Sequence, residues 1–267
     1  MEKMPQLGVG TFRLEGKVAR QSVMDSLDIG YRHIDTAQIY GNEEEVGDAI
    51  QTNGIDREEL FVTTKVWYEK LGRDHFIPSV HTSLSKLKTD YVDLLLIHWP
   101  YPNNDIAMDE YLNCLAEAKE QGLCRHIGVS NFTLSQMQQA VSILGKNTIY
   151  TNQIECHPYM QNRQVVAACE EHNMNVTAYM PLAVGKVMKD DTLLAIAEKY
   201  AASPAQVTLA WLESKGIYAI PSSTSRKHLQ SNFDAQKVQL DERDISRINE
   251  LDNGERIVDP DFAPDWD

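Results

Sequence analysis

Val92-Asp93-Leu94-Leu95-Leu96-Ile97-His98 places four apolar residues in unbroken succession and closes on an ionisable one. A strand with one solvated face alternates apolar and polar residues, whereas a parallel strand covered on both faces reads as a continuous apolar run. Comparable runs recur at 7–11, 33–35, 61–65, 127–130, 151–155, 176–179 and 217–221, which makes eight strand-like segments in all. Between them the period changes to that of a helix, over 18–29, 43–51, 76–87, 111–121, 134–144, 164–172 and 204–214, with further helical stretches at 226–233 and 242–251. Eight alternations of strand and helix over about 250 residues predict an α/β fold, a closed (β/α)8 barrel of parallel strands.

The chain has 267 residues, 42% hydrophobic and 24% charged, with no Gly, Pro or Ser tract and no linker-like shift in composition. One domain spanning 1–267 is therefore expected, and disordered or low-complexity classes are excluded. The apolar run 94–97 is far short of the roughly 18–20 residues needed to cross a bilayer, and Met1-Glu2-Lys3-Met4-Pro5-Gln6 holds no apolar signal stretch. A cytoplasmic protein that binds no membrane is expected. The balance of 25 Lys and Arg against 39 Asp and Glu gives a net −14, a field that disfavours nucleic acid. Cys114, Cys124, Cys156 and Cys169 form no CxxC pair and lie near no zinc-spaced histidine, so they read as reduced packing thiols and no metal is expected. A closed barrel has no sheet edge that demands pairing, so a monomer is expected.

The rival α/β architecture, an open doubly wound sheet, announces its dinucleotide site with GxGxxG after the first strand. Here Gly8-Val9-Gly10 is followed by Arg13 at the third glycine position, and Tyr-x-x-x-Lys, HExxH, GxSxG and a Walker loop are all missing. In a parallel barrel the chemistry sits at the carboxyl ends of the strands. Asp35, Lys65, His98, Ser130, Asn131, Gln153 and Tyr179 fall at such ends and would share one mouth. A charge there needs a partner, and Asp35 with Lys65 is the natural pair. Tyr40, five residues past Asp35, would lie beside that ammonium, which favours phenolate and lowers the phenol pKa, making Tyr40 a candidate proton donor. A metal-dependent hydrolase on the same barrel is disfavoured by Lys65 in the middle and by the absence of an HxH pair.

Taken together, Leu-Gly-Val-Gly-Thr at 7–11, Gly-Tyr-Arg-His-Ile-Asp-Thr-Ala at 30–37 leading to Tyr40, Leu-Leu-Ile-His-Trp-Pro at 95–100, Ile-Gly-Val-Ser-Asn-Phe at 127–132, Asn-Gln-Ile-Glu-Cys-His-Pro-Tyr at 152–159 and the stretch 220–232 resemble the aldo-keto reductases along nearly the whole chain. The resemblance implies a (β/α)8 barrel that reduces carbonyls with NADPH, with Asp35, Tyr40, Lys65 and His98 as the catalytic tetrad. It also implies that Ser130, Asn131 and Gln153 hold the nicotinamide carboxamide, that Tyr179 lies under its ring, and that Gly10, Thr11, Asp35, Pro181, Leu182 and Asn232 belong to the coenzyme site. The usual Lys and Arg that grip the 2′-phosphate are replaced by Ser222 and His228, so Ser223, Thr224 and Arg226 are expected to rebuild the grip, with Ser222 still part of the coenzyme site. The loop from Pro100 to Met108 is short and leaves an open mouth, with Phe12, Tyr68 and Trp99, beside Tyr40 and His98, as substrate walls. Within the family, these features are most similar to a bacterial group acting on small dicarbonyls, which implies reduction of 2,5-diketo-D-gluconate to 2-keto-L-gulonate and of methylglyoxal. The alternative from another class is a regulatory barrel that binds coenzyme with little turnover. His157, beside Pro158, reads as structural.

Overall fold

The computed structural model describes residues 3–102 and 105–267. Its strands are β1 (Val9–Gly10), β2 (His33–Asp35), β3 (Phe61–Val66), β4 (Val92–Ile97), β5 (Cys124–Ser130), β6 (Ile149–Glu155), β7 (Asn175–Tyr179) and β8 (Tyr218–Ala219), all parallel and in sequential order. The sheet closes on itself. Leu7 bridges Ala219, Gly8 N–H donates to Ala219 O at 2.9 Å, and Gly10 N–H donates to Pro221 O at 3.1 Å. The last closure requires a bare backbone, because a Cβ on Gly10 would lie 2.7 Å from Ile220 O. All eight expected strands are present, and the barrel is the observed architecture.

Around the sheet run α1 (Gly16–Ile29), α2 (Glu43–Thr52), α3 (Arg73–Leu87), α4 (Met108–Glu120), α5 (Leu134–Leu144), α6 (Arg163–Glu171), α7 (Asp191–Lys199), α8 (Pro204–Ser214), α9 (Arg226–Phe233) and α10 (Glu242–Asn249). Helix α7 is additional to the helices expected from the sequence. Its signals are short-range: Asp190 Oδ1 accepts from Leu193 N–H at 3.0 Å, and Leu193, Ile196 and Ala197 form its buried stripe. Of the short loop read between Pro100 and Met108, Asn103 and Asn104 lie outside the described residues, as do Met1 and Glu2 of the leading segment. No helix among the described residues is long and apolar enough to cross a membrane.

The unbroken apolar run of β4 is divided between two environments. Leu94 and Leu96 point into the barrel, where they pack with Met4, Phe61 and Tyr218, while Leu95 and Ile97 belong to the larger core under the helices. Asp93, charged within this apolar strand, is fully buried and held by Arg57 at 2.8 Å, Arg125 at 3.2 Å and Val62 N–H at 2.9 Å. Phe61, His126 and Tyr150 add an aromatic stack to the floor, with His126 and Tyr150 ring centres 4.4 Å apart. Gly128 occupies an irregularity in the β5–β6 register, where a Cβ would meet Leu96 Cδ2 and Thr151 O at 2.7 Å each.

His33 is fully buried, 3.3 Å from Thr63 Oγ1 and edge-on to Phe61. Burial brings its pKa down to about 4, against an opposing pull from Asp35. The unfolded chain therefore binds a proton that the fold excludes, so stability present above about pH 6.5 is lost as pH falls toward 4. The gap is equivalent to about 3 kcal/mol. In urea titrations, His33→Gln should lose less stability than the parent over that interval, by up to about 3 kcal/mol. Equal losses would show that His33 does not carry this proton linkage.

Candidate active site

Three adjacent strands deliver the charged centre. Asp35 ends β2, Lys65 lies next to the end of β3, and His98 follows β4, with its backbone N–H bound to Val66 O at 3.1 Å. Lys65 is wholly buried, and its Nζ donates to Asp35 Oδ1 at 2.5 Å, Thr36 O at 2.9 Å and Tyr40 Oη at 3.4 Å. Burial by itself would deprotonate Lys65, but the Asp35 charge and the bonds to Asp35 and Tyr40 outweigh it and raise the ammonium pKa. The expected pair of Asp35 and Lys65 is formed.

Tyr40 is placed by the turn that carries it. Residues Gln38–Tyr40 form one 3-10 turn, ended by Gly41 at φ 67°. Gln38 Nε2 donates to Ser79 Oγ and Ser83 Oγ, both at 3.1 Å, and Gln38 Oε1 accepts from Trp67 N–H at 3.0 Å. On the other side Asn42 donates to Thr11 O and Leu14 O, both at 2.8 Å, and accepts from Thr36 Oγ1 at 2.9 Å. The Tyr40 ring lies 5.1 Å from Phe12 and 5.5 Å from His98. The expected lowering of its phenol pKa is corrected here: burial raises it, and the opposing pull of Lys65 is smaller. Tyr40 thus holds its proton at neutral pH, as a donor must. Burial, reinforced by Lys65, holds His98 well below the ordinary imidazole range, so that ring is neutral.

A second group of polar side chains meets this centre from β5, β6 and β7. Gln153 Nε2 donates to Asp35 Oδ2 at 2.8 Å, across the barrel from β2. Ser130 Oγ donates to Gln153 O at 2.8 Å, Asn131 Nδ2 donates to His98 O at 3.0 Å, and Tyr179 Oη donates to Asn131 Oδ1 at 2.7 Å. Asn131 takes a left-handed φ of 63°, tolerated by asparagine. A nicotinamide carboxamide needs both donors and acceptors, and this set of two amides and a hydroxyl beside an aromatic ring fits one. Thr11 Oγ1 donates to Asp35 O at 3.1 Å, while Pro181, buried, and Leu182, half-buried, follow β7. At the far end, Ser22 Oγ donates to Ser223 O at 2.7 Å, Ser222 and Thr224 are exposed, and Asn232 is buried in α9. Arg226 opens α9, 52% exposed, with Asp25 of α1 at 3.1 Å and Asp28 of α1 also bound.

The mouth is narrower than its short loops suggest. Phe12 lies against Tyr40 and Tyr68 against Trp67, and the segment 255–267 brings Phe262 and Trp266 across to Trp99. Phe262 sits 5.6 Å from Trp67, 5.0 Å from Tyr68 and 5.3 Å from Trp99. The signal for Trp67 was its neighbour Tyr68. Two aromatics in an otherwise polar, acidic ending were the signal for Phe262 and Trp266.

A lysine-supported tyrosine and a neutral histidine at the mouth of a parallel barrel define a carbonyl oxidoreductase site. A model of the aldo/keto reductase family matches residues 6–253, and the chain belongs to that family, which implies a nicotinamide coenzyme. It is 51% identical over 265 residues to methylglyoxal reductase DkgB of Escherichia coli O157:H7, covering 99% of both chains, and 38% identical to methylglyoxal reductase DkgA of Escherichia coli (strain K12), covering 97% of this chain and 94% of that one. Among solved structures, one provisionally described as a 2,5-diketo-D-gluconic acid reductase B superposes with a TM-score of 0.94 at 42% identity, covering 99% of this chain and 94% of the other. The protein is an aldo-keto reductase enzyme.

Lys65→Met should leave the buried Asp35 carboxylate with Gln153 as its remaining side-chain partner. Urea unfolding is expected to show a loss of about 3–5 kcal/mol, the range for one partner removed from a buried pair. A loss under about 1 kcal/mol would show that Lys65 and Asp35 do not depend on each other as a buried ion pair.

Proposed function

We propose that the protein reduces small dicarbonyl compounds with NADPH: methylglyoxal, and 2,5-diketo-D-gluconate at C5 to give 2-keto-L-gulonate. The observation that carries this reading is the buried Lys65, held between Asp35 and Tyr40 Oη, which lets a phenol act as an acid in a nearly dry site. The coenzyme, when bound, supplies a hydride to the carbonyl carbon. As negative charge develops on the carbonyl oxygen, Tyr40 Oη transfers its proton there, and Lys65 stabilises the phenolate left behind. Asp35 keeps Lys65 charged and in place. His98, neutral, offers one ring N–H to orient the carbonyl. Ser130, Asn131 and Gln153 would hold the carboxamide, with Tyr179 against the ring. The aromatic walls Phe12, Trp67, Tyr68, Trp99 and Phe262 favour a small substrate, and the relatives named for methylglyoxal and diketogluconate reduction support the substrate class.

Selection of NADPH falls to Ser223, Thr224 and Arg226, where a helix start also favours phosphate. Because Asp25 and Asp28 already hold Arg226, a 2′-phosphate must displace them, and the preference over NADH should be moderate. A cytoplasmic monomer completes the reading: the cysteines are all buried and unbridged, and a closed sheet leaves no edge to pair.

Parallel assays of coenzyme oxidation with methylglyoxal and 2,5-diketo-D-gluconate test the substrate class. Turnover of a steroid or a long-chain aldehyde, with neither dicarbonyl reduced, would overturn it. Tyr40→Phe should cut kcat by about a hundredfold or more with coenzyme affinity nearly intact. Activity within a few-fold of the parent would remove Tyr40 from the acid role. Arg226→Ala should weaken NADPH about tenfold with little change for NADH, as read by fluorescence titration. Equal losses would show that Arg226 does not read the 2′-phosphate.

A further inference from the structure

One fully buried carboxylate at the mouth takes no part in the mechanism above. Glu155, the last residue of β6, accepts from His157 Nε2 at 3.0 Å and Ile257 N–H at 2.7 Å through Oε1, and from Val258 N–H at 2.8 Å through Oε2. The donors are fixed. His157 Nδ1 accepts from Tyr159 N–H at 3.3 Å, which leaves the ring hydrogen on Nε2, pointing at Glu155. Both partners are wholly inaccessible. A charge so placed persists only when its hydrogen bonds are complete, and two of its three donors are backbone groups of a segment far away in sequence.

The same segment is gripped on either side of those two amides. Before them, Asn253 N–H and Glu255 N–H donate to Tyr159 O at 3.2 and 3.0 Å. Arg256 donates to Asn162 Oδ1 at 3.2 Å, and Asn162 in turn donates to Glu155 O at 2.6 Å. After them, Phe262 enters the cluster of Trp67, Tyr68 and Trp99, and Asp267 Oδ2 accepts from Leu134 N–H at 2.9 Å, at the start of α5. Between the clamp at Ile257 and Val258 and the wall at Phe262 lie Asp259, Pro260 and Asp261, too short a span to absorb much movement.

We propose that Glu155 is a positioning residue for substrate: its carboxylate seats Ile257 and Val258 so that Phe262 closes the aromatic wall over the carbonyl site. An amide in its place keeps one acceptor but turns an N–H2 toward a backbone N–H, so one anchor of the segment is lost. Substrates that reach the wall should feel this more than those that do not. The inference rests on the carbonyl-reductase reading for its kinetic arm only.

The test uses the full-length protein with two probes, methylglyoxal and 4-nitrobenzaldehyde. Glu155→Gln should raise KM for 4-nitrobenzaldehyde about tenfold and for methylglyoxal about two- to threefold, with kcat within about threefold and coenzyme Kd within about twofold of the parent. Phe262→Ala should raise KM similarly, and the double variant should be no worse than about twice either single, since both remove the same wall. Independently of turnover, trypsin should cut the Arg256–Ile257 bond several times faster in Glu155→Gln. If Glu155→Gln fails to fold, Ile257→Pro, which deletes one clamped N–H from the other side, must reproduce the rise in KM. A parent-like KM or tryptic rate, fully additive single effects, or a coenzyme Kd that rises in step with KM would each overturn the proposal. If neither aldehyde is reduced, the carbonyl reading falls, and the tryptic rate alone decides the clamp.

Discussion

The ion pair between Lys65 and Asp35 is the constraint around which the upper half of the barrel is organised. Neither side chain has appreciable access to water, at 0% and 2%, so the desolvation of both charges must be offset by geometry. Adjacent strands provide it. β2 and β3 pair in parallel with Asp35 opposite Thr63, so Lys65, two residues on and on the same face, reaches Asp35 and the Thr36 carbonyl without leaving its strand. The second oxygen of Asp35 is taken by Gln153 from β6, on the opposite wall. One carboxylate therefore ties the proton-donor side of the site to the amide side.

The two ends of the barrel solve the problem of buried polarity differently. At the mouth, charge is kept and partnered. At the floor, the polar ring of His33, edge-on to Phe61, is kept neutral, with Asp35 and Lys65 acting on it in opposite senses and Asp93, itself paired with two arginines, acting with Asp35. A protonated His33 would place a third ion near a pair that is already nearly dry. Lys65 acts also on Tyr40 and His98, where it opposes the rise in the phenol pKa and helps keep the imidazole uncharged.

Legibility in the sequence followed the range of the forces involved. The strand count was readable because the run in β4 and its counterparts are covered on both faces, and the pairing of Asp35 with Lys65 was readable because an unpaired strand-end charge is expensive. Helix α7 carries a cap and a stripe at Leu193, Ile196 and Ala197, but nine residues give the helical period too few turns to stand out. The direction of the Tyr40 shift was not readable at all: sequence names Lys65 as a neighbour, but how far burial outweighs it depends on Phe12, His98 and the Gln38 turn closing around the ring. Phe262 was hidden for a similar reason, since its place on Trp67 and Trp99 is set by contacts made about a hundred residues apart at Glu155.

The same distinction applies to Arg226. Arg226 was legible as a cation at the start of α9, but its partners Asp25 and Asp28 belong to α1, about two hundred residues away in sequence. Arg226 straps α9 to α1, and the strap is exposed enough for solvent to screen it. Such a surface pair can open at little cost, whereas opening the buried pair at Lys65 would strand a charge away from water.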